Sequence, residues 1–204
     1  MNLFYLSNDP QECAEMHCDA HSSKMCVEYA QMMSTAHRVL DGYLTEEMRR
    51  SPDGTKARML RTFKFGDNRD DMFYKSCHVN HPSNLWLRES AQNYTYTYNL
   101  WVSLCNEYTH RYGRVHESYA KLKDVLASLP INIDRERPFS QPTPAMKKYP
   151  ECIVKGNSLQ SYRNFYWADK RQFAKWTKRD KPTWWLEYEQ RFQKETPESL
   201  AAAV

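Results

Sequence analysis

The sequence predicts an all-α fold: a compact single domain with two long helices and a Pro-rich connector. Two long segments, 11–40 and 83–112, contain good helix formers and no glycine or proline. Prolines are frequent instead in 130–150, where the apolar residues show no periodicity. The 204 residues are enough for one domain with a sizeable core. We therefore expect a single helical domain across 1–204.

The first half of the chain has clear helix boundaries and one basic segment. Asn8-Asp9-Pro10 starts the first long helix, over 11–40, and Asp41-Gly42 ends it. Residues 45–71 are the most basic interior segment. Around Ser51-Pro52-Asp53-Gly54 they predict a short helix, a turn and a basic hairpin or insertion loop.

The second half begins with the other long helix, over 80–112. Asn80-His81-Pro82 starts it and Gly113 can stop it. Shorter helices are expected over 116–129, 158–176 and 183–193, with the connector 130–150 running over the surface between the first two. The last residues, 198–204, are expected to fray. Strands are expected to be minor.

Composition limits the class of protein. The net charge of +4 and the pI near 8.6 are mildly basic, which is compatible with a polyanionic partner. Six cysteines occur without a CxxC pair, and no signal-peptide pattern is present, so we expect reduced thiols in a cytoplasm. No apolar run is long enough for a membrane span. No Gly-rich phosphate loop occurs, and no cofactor is predicted.

Four polar residues share one face of the first predicted helix. At helical spacing, these four residues, His17, His21, Lys24 and Glu28, fall together with Gln31 and Thr35 within an arc of about 80°. Apolar residues flank this arc on both sides, which places it toward the core. Burying these groups together costs free energy unless they are paired and hydrogen-bonded.

Three interpretations of this face remain open. In a catalytic site, Glu28 and the histidines would be acid or base groups, and Lys24 a nucleophile or an electrostatic partner. In a structural network, Lys24 would pair with Glu28 and each histidine with a backbone carbonyl. In a metal site, His17 and His21 would chelate an ion from one helix, although the HExxH glutamate is absent because Cys18 occupies its place.

Basic residues interleaved with aromatic ones form a second group of candidates, which suits contacts to phosphates and stacking on bases. Helix capping, helix dipoles and a solvated basic face explain the same residues without a ligand. The DNA-binding candidates are Arg58, Arg61, His81, Arg88, Arg111, Arg163, Lys170, Lys175, Trp176, Lys178 and Arg179.

Three pieces of the chain, in this order, resemble the phage pyrimidine-dimer DNA glycosylase family (endonuclease V type) and its uncharacterised phage relatives. They are the polar first helix, His81-Pro82 before the aromatic helix, and Lys181-Pro182-Thr183-Trp184-Trp185. The resemblance implies a compact all-helical fold that binds duplex DNA, flips out a nucleotide and cleaves the glycosidic bond. In that family an N-terminal amine attacks and a helix glutamate assists.

The resemblance places Lys24 at a basic position of the family's glycosylase helix. Two positions depart from the pattern: Asn2 is too large for efficient removal of Met1, and His21 stands near the position of the catalytic acid. We expect a phage-type DNA-processing enzyme that acts on a base or glycosidic bond of double-stranded DNA, in the host cytoplasm if phage-encoded. The alternatives are a non-catalytic DNA-binding or host-interaction protein and a helix-borne metal enzyme.

Overall fold

The centre of the fold is built from the amino-terminal segment and the helices that enclose it. The computed structural model describes residues 2–195. Residues 3–6 are extended and fully buried, and they lie against α2 (Asp19–Asp41), where the Phe4 amide donates to the Tyr29 hydroxyl at 3.1 Å. The long helix α5 (Ala91–Tyr112) packs against both α2 and the short α1 (Pro10–Met16).

The remaining helices surround this centre. Those between the long helices and the connector are α3 (Arg69–Met72), α4 (Pro82–Leu87) and α6 (Glu117–Leu126). Residues 130–149 contain no helix or strand, and a single 3-10 turn follows at Pro150–Cys152. The carboxy-terminal helices are α7 (Ser158–Lys170) and α8 (Thr183–Glu195). The expected fraying of 198–204 lies outside the described residues.

The all-α prediction is wrong because the chain contains a two-stranded antiparallel sheet. Strand β1 (Tyr43–Arg50) pairs with β2 (Ala57–Lys64) in a register that runs from Tyr43 opposite Lys64 to Arg50 opposite Ala57. The turn between them contains Gly54 at φ 71°, a backbone conformation that glycine adopts without strain. The short helix expected at the start of 45–71 is therefore a strand, whereas the expected turn and hairpin are present.

Both predicted long helices are interrupted. The segment 11–40 breaks at His17 and Cys18, whose backbones are extended, and the carboxylate of Asp19 accepts hydrogen bonds from Thr177 on a distant segment. The segment 80–112 breaks before Ser90, whose hydroxyl caps α5 by accepting from the Asn93 amide at 3.1 Å. Serine is a strong N-cap residue, and it starts a new helix here.

Candidate functional site

His17 lies in the break between α1 and α2 and is fully buried. Its Nδ1 is 2.7 Å from the Cys13 carbonyl and its Nε2 is 2.9 Å from the Tyr29 hydroxyl. Because a carbonyl only accepts, Nδ1 carries the proton and Nε2 accepts from the tyrosine. Burial disfavours the charged ring and lowers the pKa of His17 to about 4. This histidine is neutral and hydrogen-bonded on both sides.

His21 lies in the first turn of α2 and is also buried. Its ring stacks on Phe4 at 4.4 Å between centroids, and its Nδ1 is 2.7 Å from the Tyr166 hydroxyl. The same hydroxyl accepts from the Cys18 amide at 3.0 Å. Burial lowers the pKa of His21 to about 2. His21 is therefore neutral, and its hydrogen bond with Tyr166 joins α7 to the start of α2.

The break between α1 and α2 removes the helical spacing through which His17 and His21 could bind one metal ion. His17 precedes α2, so the spacing of His17 and His21 is not that of successive turns of one helix. Both ring nitrogens of His17 are engaged by protein groups. Within residues 2–195, no group of three or more metal-ligating side chains is close enough to hold an ion.

Lys24 and Glu28 do form a pair, one helical turn apart on α2. Lys24 Nζ lies 3.3 Å from Glu28 Oε1, and the two side chains are 63% and 17% exposed. The ammonium is in water, whereas the carboxylate is mostly covered and opens to the surface beside it. The pair follows directly from the i,i+4 spacing, which brings these side chains together on any helix.

The turn before α4 completes the surroundings of Glu28. His81 caps α4, because its Nδ1 accepts from the Ser83 amide at 3.2 Å. Its neutral form therefore carries the proton on Nε2. Burial lowers the pKa of His81, and the carboxylate of Glu28 partly opposes this shift. We call Lys24, Glu28, Cys77 and His81 the Glu28 cluster.

Cys77 is the member of the cluster that the sequence did not single out. Its amide donates to Thr35 Oγ1 of α2 at 3.2 Å, and its carbonyl accepts from Asn84 Nδ2 at 3.1 Å. These bonds fix the turn against α2. Burial raises the pKa of the Cys77 thiol, and the charge of Glu28 adds to that effect. The thiol is protonated at neutral pH and is not a nucleophile.

The DNA-binding candidates lie in very different surroundings. Arg111 is 3% exposed and donates to the carboxylates of Glu107 and Asp19 and to two backbone carbonyls. Trp176 is buried and donates from Nε1 to the Met16 carbonyl at 3.0 Å. Both hold the break between α1 and α2, and contact with DNA would require them to leave it.

Four further candidates are partly covered and already bonded within the protein. Arg88 donates to the Val79 carbonyl at 2.7 Å, and burial lowers its pKa. The other three are Arg163 on the Leu6 carbonyl, Lys170 on the Asp169 carboxylate, and Arg179 on the Glu107 carboxylate. These side chains donate hydrogen bonds to acceptors within the protein. To bind a phosphate of DNA, they would have to give up those partners.

The exposed candidates occupy two separate segments. Arg58 and Arg61 are on β2, where Arg61 pairs with Glu46 at 2.8 Å, and Lys175 and Lys178 follow α7. The hairpin adds cations that were not selected as site residues. Arg49 lies directly opposite Arg58, and Arg50 and Lys56 flank the turn. The Pro-Asp-Gly turn could have revealed this pairing, because a turn fixes the register of its strands.

Within residues 2–195, every helix is too short or too polar to cross a bilayer. The six cysteines are free thiols. The described residues thus define a mostly helical chain with a projecting β-hairpin and a mostly covered carboxylate, Glu28, which pairs with the Lys24 ammonium and influences the pKa of His81. Comparison with family models, curated proteins and solved structures gives no match, so the functional proposal depends on the Glu28 cluster and the resemblance.

Proposed function

We propose that this chain is a DNA-processing enzyme of the glycosylase type, which acts on a base or glycosidic bond of duplex DNA with Glu28 as its acid or base group. The Glu28 cluster carries the proposal. A mostly covered carboxylate opens to the surface between the Lys24 ammonium, 3.3 Å away, and an imidazole whose pKa it influences. A carboxylate with a cation and an imidazole nearby supplies the groups that proton transfer requires.

The cluster supplies the charges that glycosidic cleavage requires. As the bond to the base breaks, positive charge develops on the sugar and negative charge on the departing base. The Glu28 carboxylate would stabilise the sugar and accept the proton of an attacking water. The Nε2 proton of His81 would bond the departing base, and Lys24 would bind the neighbouring phosphate.

The surroundings of each candidate determine its part in this proposal. His17 and His21 are neutral and bonded to tyrosines, so we assign them to positioning the amino-terminal segment against α2. Lys24 is 63% exposed, and a lysine becomes a nucleophile when it is desolvated. An electrostatic role for Lys24 therefore fits better than a covalent one.

The resemblance to phage pyrimidine-dimer DNA glycosylases supports DNA as the substrate, because its pieces include the helix of Glu28 and the turn of His81. Free thiols in the described residues support a reducing cytoplasm, that of a host if the protein is phage-encoded. Glu28 takes the part of the family's helix glutamate in the proposal, although it does not stand at the same position.

Base release from duplexes that each hold one altered base tests this function. The set includes a pyrimidine dimer, uracil, and an oxidised and a hydroxymethylated pyrimidine, and abasic sites are detected by alkaline cleavage. We expect release from at least one duplex, and a loss of about 100-fold or more in Glu28→Gln. Glu187→Gln, an exposed glutamate on α8, is the matched control and keeps the wild-type rate.

Two results would overturn the proposal: no base release from any duplex by the wild-type protein, or release by Glu28→Gln at the wild-type rate. Thermal melting of both variants shows that they are folded. Borohydride trapping, compared between the wild-type protein and Lys24→Ala, identifies any covalent intermediate and assigns or removes Lys24 as its nucleophile.

A second candidate function is non-catalytic DNA binding, and one observation favours it. Both histidines of the predicted polar face have hydrogen-bond partners inside the core, as a structural network requires. This alternative predicts that DNA binding weakens steeply with salt while no base is released from any duplex. It also predicts that Glu28→Gln leaves the affinity for DNA unchanged.

A further inference from the structure

The hairpin of β1 and β2 projects from the helical body without a buried face. None of its sixteen strand residues is buried. An isolated two-stranded ribbon is marginally stable in water because it has no hydrophobic face to cover. It is anchored at its base, where Arg38 donates to the Phe63 carbonyl at 3.2 Å. Because burial contributes so little to the stability of this ribbon, a role in binding explains its presence better.

The far end of this ribbon carries four cations and a single carboxylate, that of Asp53, which accepts from Ser51 and Thr55 within the turn. Arg49 lies directly across from Arg58, and like charges in that position destabilise a sheet. Arg50 and Lys56 stand at the ends of the turn, and none of the four forms an ion pair with a described residue. Near the base, in contrast, the glutamates of β1 pair with Arg61 and Lys64.

The cations occupy both faces of the ribbon. Side chains alternate along a strand, so Arg49 and Arg58 point to one face and Arg50 to the other. The second face also carries Met48 opposite Met59, which are 62% and 50% exposed. A membrane or a flat protein surface would contact one face only. A groove with a negatively charged wall on each side would contact both.

We propose that this ribbon enters the major groove of duplex DNA edge-on, so that its two cationic faces lie against the phosphates of the two groove walls. Sheets that pack face to face lie about 10 Å apart, so one ribbon with its side chains is about 10 Å thick. The major groove is about 12 Å wide and admits such a ribbon, whereas the minor groove is about 6 Å wide. The choice of DNA among polyanions rests on the proposed function.

Binding of the full chain to an undamaged, fluorescein-labelled 20-base-pair duplex tests the proposal. Fluorescence anisotropy is measured from 50 to 200 mM salt for the wild-type protein and for Arg49→Gln/Arg58→Gln. The matched control is Arg135→Gln/Lys148→Gln, which removes two exposed cations from the connector. Loss of two phosphate contacts should lower the slope of log K against log salt by about 1.8 and weaken binding about 30-fold near 0.15 M salt. The control should stay within about twofold of wild type.

Dimethyl sulfate footprinting identifies the groove. Protection of guanine N7 by the wild-type protein, lost in the Arg49/Arg58 variant, supports the proposal, because N7 lies in the major groove. Protection confined to adenine N3, in the minor groove, would overturn it. So would equal DNA affinity of variant and wild type, including the case in which the variant instead loses binding to vesicles that contain phosphatidylserine.

The two proposals fail in different ways. Glu28→Gln should lose base release and keep the salt slope of the wild-type protein. The ribbon variant should lose affinity and keep its rate of base release at saturating DNA. A ribbon that binds DNA in a protein without base release would refute the enzymatic proposal alone.

Discussion

Acidification should destabilise this protein well above the pH at which carboxylates titrate, because three histidines are held neutral in the core. His17, His21 and His37 are buried, and their pKa values are lowered from 6.5 to about 4, 2 and 4. Burial is the largest cause in each case. Below pH 6.5 these histidines bind protons in the unfolded chain but not in the folded chain. The free energy of unfolding therefore falls as the pH falls.

The magnitude follows from the size of the shifts. Each such histidine lowers the free energy of unfolding by about 1.4 kcal/mol per pH unit once the pH is below 6.5 and above its folded pKa. For the three together, the loss between pH 7 and pH 5 is on the order of 5 kcal/mol. A domain has about 5–15 kcal/mol in total, so the protein should approach unfolding near pH 5.

Urea unfolding at pH 7, 6 and 5 measures this loss. His21→Gln should reduce the pH dependence by about a third, because it removes one of the three buried neutral histidines. A loss below about 1 kcal/mol between pH 7 and pH 5 would refute the reasoning. At pH 8, where folding is not limiting, His21→Gln should keep DNA base release if the histidine only positions the core.

Two further predictions concern the charged groups around the site. Arg111→Ala leaves two carbonyls without their donor and Glu107 with Arg179 as its remaining partner, so it should cost about 3 kcal/mol and lower the melting temperature by about 10 °C; calorimetry that shows a shift below 3 °C would contradict this. Lys24→Ala removes an exposed partner of Glu28 and should change stability by less than about 1 kcal/mol, while base release slows about tenfold. Equal base release in Lys24→Ala and the exposed control Lys155→Ala would remove Lys24 from the site.

The hairpin shows why the sequence predicted the turn but predicted a short helix in place of the strand before it. The Pro-Asp-Gly sequence specifies a turn through its own backbone preferences. The strands on either side have no buried face, so they lack the alternation of apolar and polar residues that marks a half-buried strand. Without that signal, the charged segment before the turn resembles a helix as much as a strand.

The break at His17 shows the limit of helical phase as evidence. No glycine or proline lies between Gln11 and Leu40, so the local sequence favours one continuous helix. The break is stabilised by hydrogen bonds from Arg111 and Trp176. Both residues are distant in the sequence, so the residues around the break do not predict it. The predicted arc assumes one continuous helix. His17 lies in the break, so it does not belong to that arc.

Within the candidate site, only the helical part was accessible from sequence. Lys24 and Glu28 are both on α2, and their pairing depends on spacing alone. His81 approaches Glu28 because α4 packs against α2, and Cys77 because its amide bonds to Thr35 of α2; both are tertiary contacts. The sequence singled out His81 as a DNA contact, and its place beside a carboxylate suggested the different role that we propose.

The break between α1 and α2 also constrains the order in which the chain can fold. Its contacts come from residues 94, 148 and 160 positions later, on Arg111, Tyr166 and Trp176. Contacts between residues so far apart in the sequence form late in folding. During synthesis, Tyr166 and Trp176 also leave the ribosome after residues 11–40. Until then nothing local prevents residues 11–40 from forming one helix. The contacts of Tyr166 and Trp176 therefore stabilise the break between α1 and α2, and the amino-terminal core is completed only after they have formed.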